Sequence, residues 1–449
     1  MNVFDVVIIG GGASGLVSAI EVAKKGLSVC IIERLSKIGK KILATGNGRC
    51  NMTNLALKES DYRSEKEEFP YEVLKQFSAL DALHYFEELG IIWKEESGYV
   101  YPRSEQATAI VSALELKIQS LNIEVLCDRQ VIKIEPVKNG FCIKLKEGER
   151  IYGGQCILAT GGKAQPKLGS DGSGYELAKQ LGHRIIPIIP ALTGLHTEHP
   201  ATKQWAGVRA KGRLTCLVNG KQVASEQGEI QFTNYGISGV PTFQISRYAT
   251  HALKRKKVVE MVIDFYSECA KQEFQQQLFW LLENCYYKNI RELLEGIFSK
   301  KLVPVFLKEA GIKDTLHCDR IVKTDVERMV DVIKAFPIVI TGSNDFEQSQ
   351  VCAGGVSVEE VEKTTLESKL VKGVYLTGEL LDVDGTCGGY NLQWAWTTGY
   401  LAGNAVQMGK DLSKIRAYAE KGNKPSKTQK MNPVPEVRKK AKQRKNDKK

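Results

Sequence analysis

Apolar positions in the first 33 residues fall into three blocks. Val3–Ile9 is nearly uninterrupted, the pattern of a parallel strand covered on both faces; residues 13–25 carry apolar side chains at helical spacing; residues 28–32 return to an apolar run. Gly10, Gly12 and Gly15 stand between the first two blocks in G-x-G-x-x-G spacing. Strand, glycine turn, helix and strand together make a nucleotide cradle. Gly10 permits the tight turn, Gly12 lets backbone approach a pyrophosphate, and Gly15 lets helix and sheet pack closely. The helix turns its free N–H groups and positive dipole end toward that pyrophosphate, and Gly26 ends it. Glu33 follows the second strand, where a carboxylate accepts ribose hydroxyls and repels a 2′-phosphate. FAD and NAD both remain open at this point.

The next stretch, RLSKIGKKILATGNGRCNMTN, leaves the sheet edge at which nucleotides bind. Lys40, Lys41 and Arg49 can neutralise phosphates, and Thr45, Asn47 and Asn51 offer hydrogen bonds. Residues 70–121 read as mostly helical, and 123–126, 131–135 and 141–145 as short strands. A buried strand then ends in Thr160-Gly161-Gly162 and passes under a cofactor. The glycine-rich turn at 169–174 opens a helix but departs from the first spacing, so no second nucleotide site is expected. Beyond Pro187 and Pro190 short β-rich runs occupy 193–263, helical periodicity occupies 270–335, and a strand returns at 336–341.

The choice between FAD and NAD rests on the end of the chain. A strand at 374–377 is followed by Gly378-Glu379, whose carboxylate can bind ribityl or pyrophosphate-side hydroxyls. Gly388, Gly389, Tyr390 and Asn391 open a helix reaching about residue 407. Its first N–H groups would stabilise the negative N1/O2 edge of a reduced flavin. NAD needs no such closing element, so FAD is the expected cofactor. The fold is read as α/β: a Rossmann-type FAD-binding domain, of the two-dinucleotide-binding flavoprotein kind, at 1–190 and 342–409. Into it are inserted a β-rich, barrel-like domain at 191–269 and 336–341 and a nested helical subdomain at 270–335.

Charge adds a fourth part. Residues 410–449 hold 15 Lys or Arg against 4 Asp or Glu, a net +11 that equals the net charge of the whole 449-residue chain. The body is balanced, and the tail is read as basic and largely disordered. It has no aromatic residue after Tyr418 to stack on bases, so nucleic-acid binding through it is not favoured. No apolar run reaches the roughly 18 residues of a membrane span. With no export segment expected and an odd count of 11 cysteines, reduced thiols in a cytoplasm are expected, and no metal centre. Cys50 and Cys387 lie in loops that converge on the flavin, as packing residues or as a redox pair. Tyr99, Tyr101, Arg103 and His196 are candidate proton donors, none singled out as catalytic. No second dinucleotide fold is visible, so NAD(P)H binds transiently or a partner supplies electrons.

The segments GGGASGL (10–16), GKKILATGNGRCNMTN (39–54), YPRS (101–104), LATGG (158–162) and GELLDVDGTCGGYNLQWAWTTG (378–399) resemble those of the HI0933-like (BaiN/YhiN) family of FAD-dependent oxidoreductases, over roughly residues 1–408. The resemblance implies FAD contacts at Ser14, Glu33, Arg34, Lys40, Lys41, Gly378, Glu379, Asn391 and Leu392, and at Val131 through its backbone. The glycine pattern adds Gly10, Gly12, Gly15, Gly161 and Gly389, and the cationic loop adds Asn47. Family members have been assigned to enone reduction and to amine oxidation. The expected function is reduction of an activated C=C bond in a small organic substrate; an RNA-modifying flavoprotein or an amine oxidase are the alternatives.

Overall fold

The computed structural model describes residues 2–407 and 412–422. Apolar runs with little alternation become the centre of a sheet: β1 (Val3–Ile9), β2 (Val29–Ile32), β3 (Glu124–Leu126), β4 (Val131–Val137), β5 (Gly140–Leu145) and β6 (Arg150–Leu158). The order is β3-β2-β1-β6-β5-β4, with Val374–Leu376 paired beside the end of β6. β3, β2, β1, β6 and Val374–Leu376 are mutually parallel, so their C-terminal ends share one edge. Helix α1 (Ala13–Lys24) packs on this sheet, and residues 14–22 are buried all the way round it.

The insert has its own sheet, entirely antiparallel. Its strands are β7 (Leu195–His196), β8 (Arg209–Val218), β9 (Lys221–Phe232), β10 (Gly236–Ser238), β11 (Val259–Asp264), β12 (Phe336–Ile340) and β13 (Gly342–Ser343). The order is β12-β11-β8-β9-β10-β7-β13. Its two edge strands are separated in the chain by Thr341 alone, whose N–H donates to His196 O at 3.0 Å. Edges one residue apart in sequence are adjacent in space, so the sheet is rolled up like a barrel. The sheet thus extends one strand past the expected boundary at 341. A two-stranded ribbon, Ile189–Ala191 with Val351–Ala353, joins the insert to the first domain. The helices Lys271–Asn284, Ile290–Leu294, Val303–Glu309 and Lys323–Lys334 share one core with this sheet, through Phe265, Phe306 and Phe336.

Three elements differ from expectation. Residues 93–102 form a hairpin, Trp93–Glu96 with Tyr99–Pro102, inside the stretch read as helical. Ser97 (φ 55°) and Gly98 (φ 88°) make the two-residue, positive-φ turn that matches strand twist. Helix α2 (Val240–Lys254) stands where only strands were expected. Its buried stripe includes Pro241, Thr242, Ser246, Ala249 and Thr250, too small and polar to register as apolar periodicity. The expected tail contains helix α4 (Ser413–Gly422), and Ile415 and Ala419 are buried against Val3, Cys142 and Tyr152. Residues 423–449, and the disorder expected for them, lie outside the described residues.

The closing helix α3 (Tyr390–Ala405) lies along α1. A Cβ at Gly399 would overlap the Ser14 carbonyl, and one at Gly403 would lie 2.8 Å from Ser18 O. Ser18 Oγ donates to both Ser14 O (2.8 Å) and Gly399 O (2.9 Å), stitching the helices together. We predict that Gly399→Ala destabilises the protein by about 1–3 kcal/mol through overpacking, although alanine is the better helix former by about 1 kcal/mol. Denaturant unfolding gives the sign, and a stability gain would refute the tight contact.

Candidate functional site

The shared strand edge is followed by Gly10 to Gly12 after β1, Glu33 after β2, Thr160 and Gly161 after β6, and Gly378 and Glu379 after Val374–Leu376. All of them line one cavity of about 690 Å³, the size that holds a nucleotide-class ligand. The glycines divide by cause. A Cβ on Gly10 (φ 106°) would overlap Ala159 O, and one on Gly15 would overlap Gly10 O, so packing alone demands both. Gly12 has no positive φ, and a Cβ there would meet nothing within 4 Å. What it keeps clear is the cavity itself, as backbone approach to a phosphate requires.

Glu33 is buried, and both carboxylate oxygens are anchored: Gly11 N–H donates to Oε2 and Leu35 N–H to Oε1, each at 2.8 Å. The remaining lone pairs are free to accept ribose hydroxyls. Two uncapped helix ends open on the cavity, at Gly12 for α1 and at Gly389 (φ 96°) for α3. Gly399 sits beside Ser14, so α3 begins eight residues further out than α1, about 12 Å at 1.5 Å per residue. The two ends therefore address separate parts of one elongated ligand.

Of the residues expected to bind the cofactor, Gly10, Gly12, Ser14, Glu33, Arg34, Lys40, Lys41, Asn47, Val131, Gly161, Gly378, Glu379, Gly389, Asn391 and Leu392 line the cavity. Gly15 does not; its role is helix–sheet contact. Four of the lining residues are engaged with the protein itself. Arg34 donates to Gly169 O (3.0 Å) and Pro166 O (2.5 Å) and pairs with Asp171 (3.0 Å), so it braces the second glycine turn. Glu379 pairs with Lys41 at 2.7 Å. Asn391 accepts from Gly385 N–H and donates to Gly385 O and Thr386 O, folding the loop ahead of α3.

The cavity also holds groups beyond that set, several of them named in the sequence only as polar or proton-donor candidates. Asn51 is buried, and its Oδ1 has no hydrogen-bond partner; the same holds for Thr160 Oγ1. Both residues line the cavity, and unpaired buried acceptors there are what a bound ligand would satisfy. Tyr101 is buried, with the Arg49 guanidinium 4.4 Å from its ring centroid and Nη2 donating to its hydroxyl at 3.4 Å. Burial pushes the Tyr101 phenol up, and Arg49 only partly opposes this. Tyr99 also lines the cavity, against Gly388. Leu192, Phe243 and Val351, clustered with Cys387, add an apolar wall. Arg103 and His196 are off the cavity; His196 Nε2 is 2.7 Å from Asn344 Oδ1 within the insert.

Every cysteine among the described residues is free. Burial pushes the Cys50 thiol up to about 12 and raises that of Cys387, so neither supplies a thiolate at neutral pH. Only Cys387 lines the cavity.

A model of the HI0933-like protein Rossmann domain matches residues 4–405. The chain belongs to the HI0933-like family. It is accordingly an FAD-dependent oxidoreductase, and the open cradle at Gly12, the anchored Glu33 and the two uncapped helix ends fit FAD. Among HI0933-like relatives, a 3-dehydro-bile acid delta(4,6)-reductase of Clostridium scindens is 44% identical over 402 residues, 89% of this chain and 98% of that protein. A ribosomal RNA dihydrouridine synthase of Haemophilus influenzae is 31% identical over 405 residues, 88% and 96% of the two chains. Among solved structures, 3-ketosteroid delta1-dehydrogenase from Sterolibacterium denitrificans is 12% identical, with a TM-score of 0.48 and coverage of 90% of this chain and 99% of that one. No described helix is long and apolar enough to cross a membrane.

Two outcomes are predicted for this HI0933-like site. Glu33→Ala should raise the FAD dissociation constant roughly 10- to 100-fold, the loss of charge-assisted hydrogen bonds worth about 1.5–3 kcal/mol; titration of apoprotein with FAD measures it. The two-electron-reduced enzyme should show no long-wavelength thiolate–flavin band at neutral pH, and the Cys50→Ser, Cys387→Ser double variant should match its spectrum.

Proposed function

We propose that this enzyme reduces a C=C bond conjugated to a carbonyl in a small, flat, largely apolar molecule, with NAD(P)H as electron donor. Bound FAD, once reduced, supplies the hydride. The chain's own residues do the rest. Glu33, the α1 N-terminus and Lys40 hold the dinucleotide part. The uncapped N–H groups of α3 hold negative charge on the ring system. Leu192, Phe243 and Val351 bury the substrate and exclude water. Tyr101 keeps its proton at neutral pH and donates it to the carbon alpha to the carbonyl, with Arg49 orienting the hydroxyl. The observation that carries this reading is a buried tyrosine under an arginine, opening onto the same cavity as an apolar wall and an uncapped helix end. The named activity of the Clostridium relative, reduction of a bile-acid dienone, is this bond chemistry.

A second reading follows from the same chemistry. The C5=C6 bond of uracil is conjugated to the C4 carbonyl, and the Haemophilus relative is named for reducing uridine in ribosomal RNA. Amine oxidation would need a site that accepts a deprotonated amine, and the Arg49–Tyr101 pair offers a donor instead.

The test bypasses the electron donor. Enzyme reduced with dithionite under anaerobic conditions should be reoxidised by a 3-oxo-4,6-diene steroid and not by the saturated ketone. Failure with every enone, together with reduction of the oxidised enzyme by an amine, would sink the proposal. Tyr101→Phe should slow reoxidation roughly 10²- to 10⁴-fold, the range of general acid catalysis, with flavin content unchanged. Because burial raises its pKa, the wild-type rate should stay flat to about pH 9 and fall only above the ordinary tyrosine value near 10.

A further inference from the structure

Helix α2 starts at the cavity, where Val240 and Phe243 line it, and ends about 21 Å away at 1.5 Å per residue. That far end carries Lys254, Arg255, Lys256 and Lys257 in succession, all exposed. The tip of the β8–β9 hairpin is tied to it: Asn219 N–H donates to Val258 O (2.9 Å), and Val258 N–H donates to Asn219 Oδ1 (3.1 Å). This brings exposed Lys221 to the same pole. None of the five cations is paired with a carboxylate among the described residues; Lys254 donates only to Ile188 O, at 3.3 Å.

Two structural explanations account for part of this and leave a remainder. Cations in the last turn of a helix offset its dipole, which covers Lys254 and Arg255. The dipole does not reach Lys221 on the hairpin. Nor does it explain Lys256, which takes φ 56° at the helix end, a left-handed position where glycine is least strained. Five unpaired like charges also repel one another. Folding alone gains nothing from keeping a lysine there.

We propose that this pole docks the phosphate backbone of RNA while the cavity works on a base, and this partner rests on the second reading above. RNA is favoured over an anionic membrane because the cations sit on a helix end and a hairpin tip. Membrane-surface binding uses a helix that lays an apolar face into the interface, whereas the exposed apolar residues beside these charges, Val223, Val258 and Val339, lie on or next to strands and form no helix face.

The test uses the full chain loaded with FAD. Binding of a labelled, uridine-containing RNA stem-loop is followed by fluorescence anisotropy across a salt series. The Lys254→Glu, Lys256→Glu, Lys257→Glu triple variant should bind at least 10-fold more weakly, with a log K against log salt slope shallower by about two to three, since each lost phosphate contact removes roughly 0.7–0.9. Reoxidation of its reduced flavin by the steroid dienone should be unchanged. Lys256→Gly should also weaken RNA binding while keeping or raising Tm, which a structural role for Lys256 would not allow. Unchanged RNA affinity and salt slope would overturn the proposal. So would vesicles of phosphatidylglycerol and phosphatidylcholine losing affinity for the variant when RNA does not. RNA that binds through this pole without any uridine being reduced would leave the dock standing and remove the second reading.

Discussion

The site depends on how closely two helices approach. α1 and α3 lie far apart in the chain, yet Gly399 meets the Ser14 backbone and Gly403 meets Ser18 with no room for a side chain. That contact sets where the N-terminus of α3 stands relative to that of α1. Both ends lack side-chain caps, so their N–H groups are left for a ligand and not for the protein. Moving α3 would change the spacing between the two positive ends, and with it the fit of any ligand that spans them. Gly399 matters to the cofactor without touching it.

Around this contact several polar and charged side chains hold loops in place. Arg34 braces the 166–171 turn, Asn391 folds residues 385 and 386, and Glu33 is itself held by two backbone N–H groups. Rigid surroundings of this kind keep donors aimed before the ligand arrives, which is how such sites gain both affinity and rate. Arg247, bonded to buried Asp384 through Nε at 2.8 and 3.0 Å, fastens the insert to the loop leading into α3.

Much of this was legible in the sequence because it is local. The glycine turn, Glu33 and Gly378-Glu379 are set by strand ends a few residues away, and parallel-strand logic places them at one edge. The long-range pairings were not legible. No local pattern says that Arg34 spends its charge on residues 166–171, or that Arg49 lies over Tyr101. α2 escaped detection because its buried face is built from small and hydroxyl-bearing residues. The hairpin at 93–102 was hidden by the helical neighbours on either side of it. The helical residues 270–335 read as a separate unit because their periodicity differs from that of the β-rich strands, yet one core holds both.

The ribbon of Ile189–Ala191 and Val351–Ala353 gives the molecule a form of modularity. The chain leaves for the insert and returns from it side by side, so everything between enters and exits through one doorway. The cofactor cradle is contributed almost wholly from outside that doorway, whereas Leu192, Val240 and Phe243 come from within it. Mutations that reshape the insert can therefore alter what is bound beside the flavin while leaving the nucleotide cradle untouched. A single ancestral cradle fitted with divergent inserts would yield relatives that share one bond-reducing chemistry and differ in the molecules they accept.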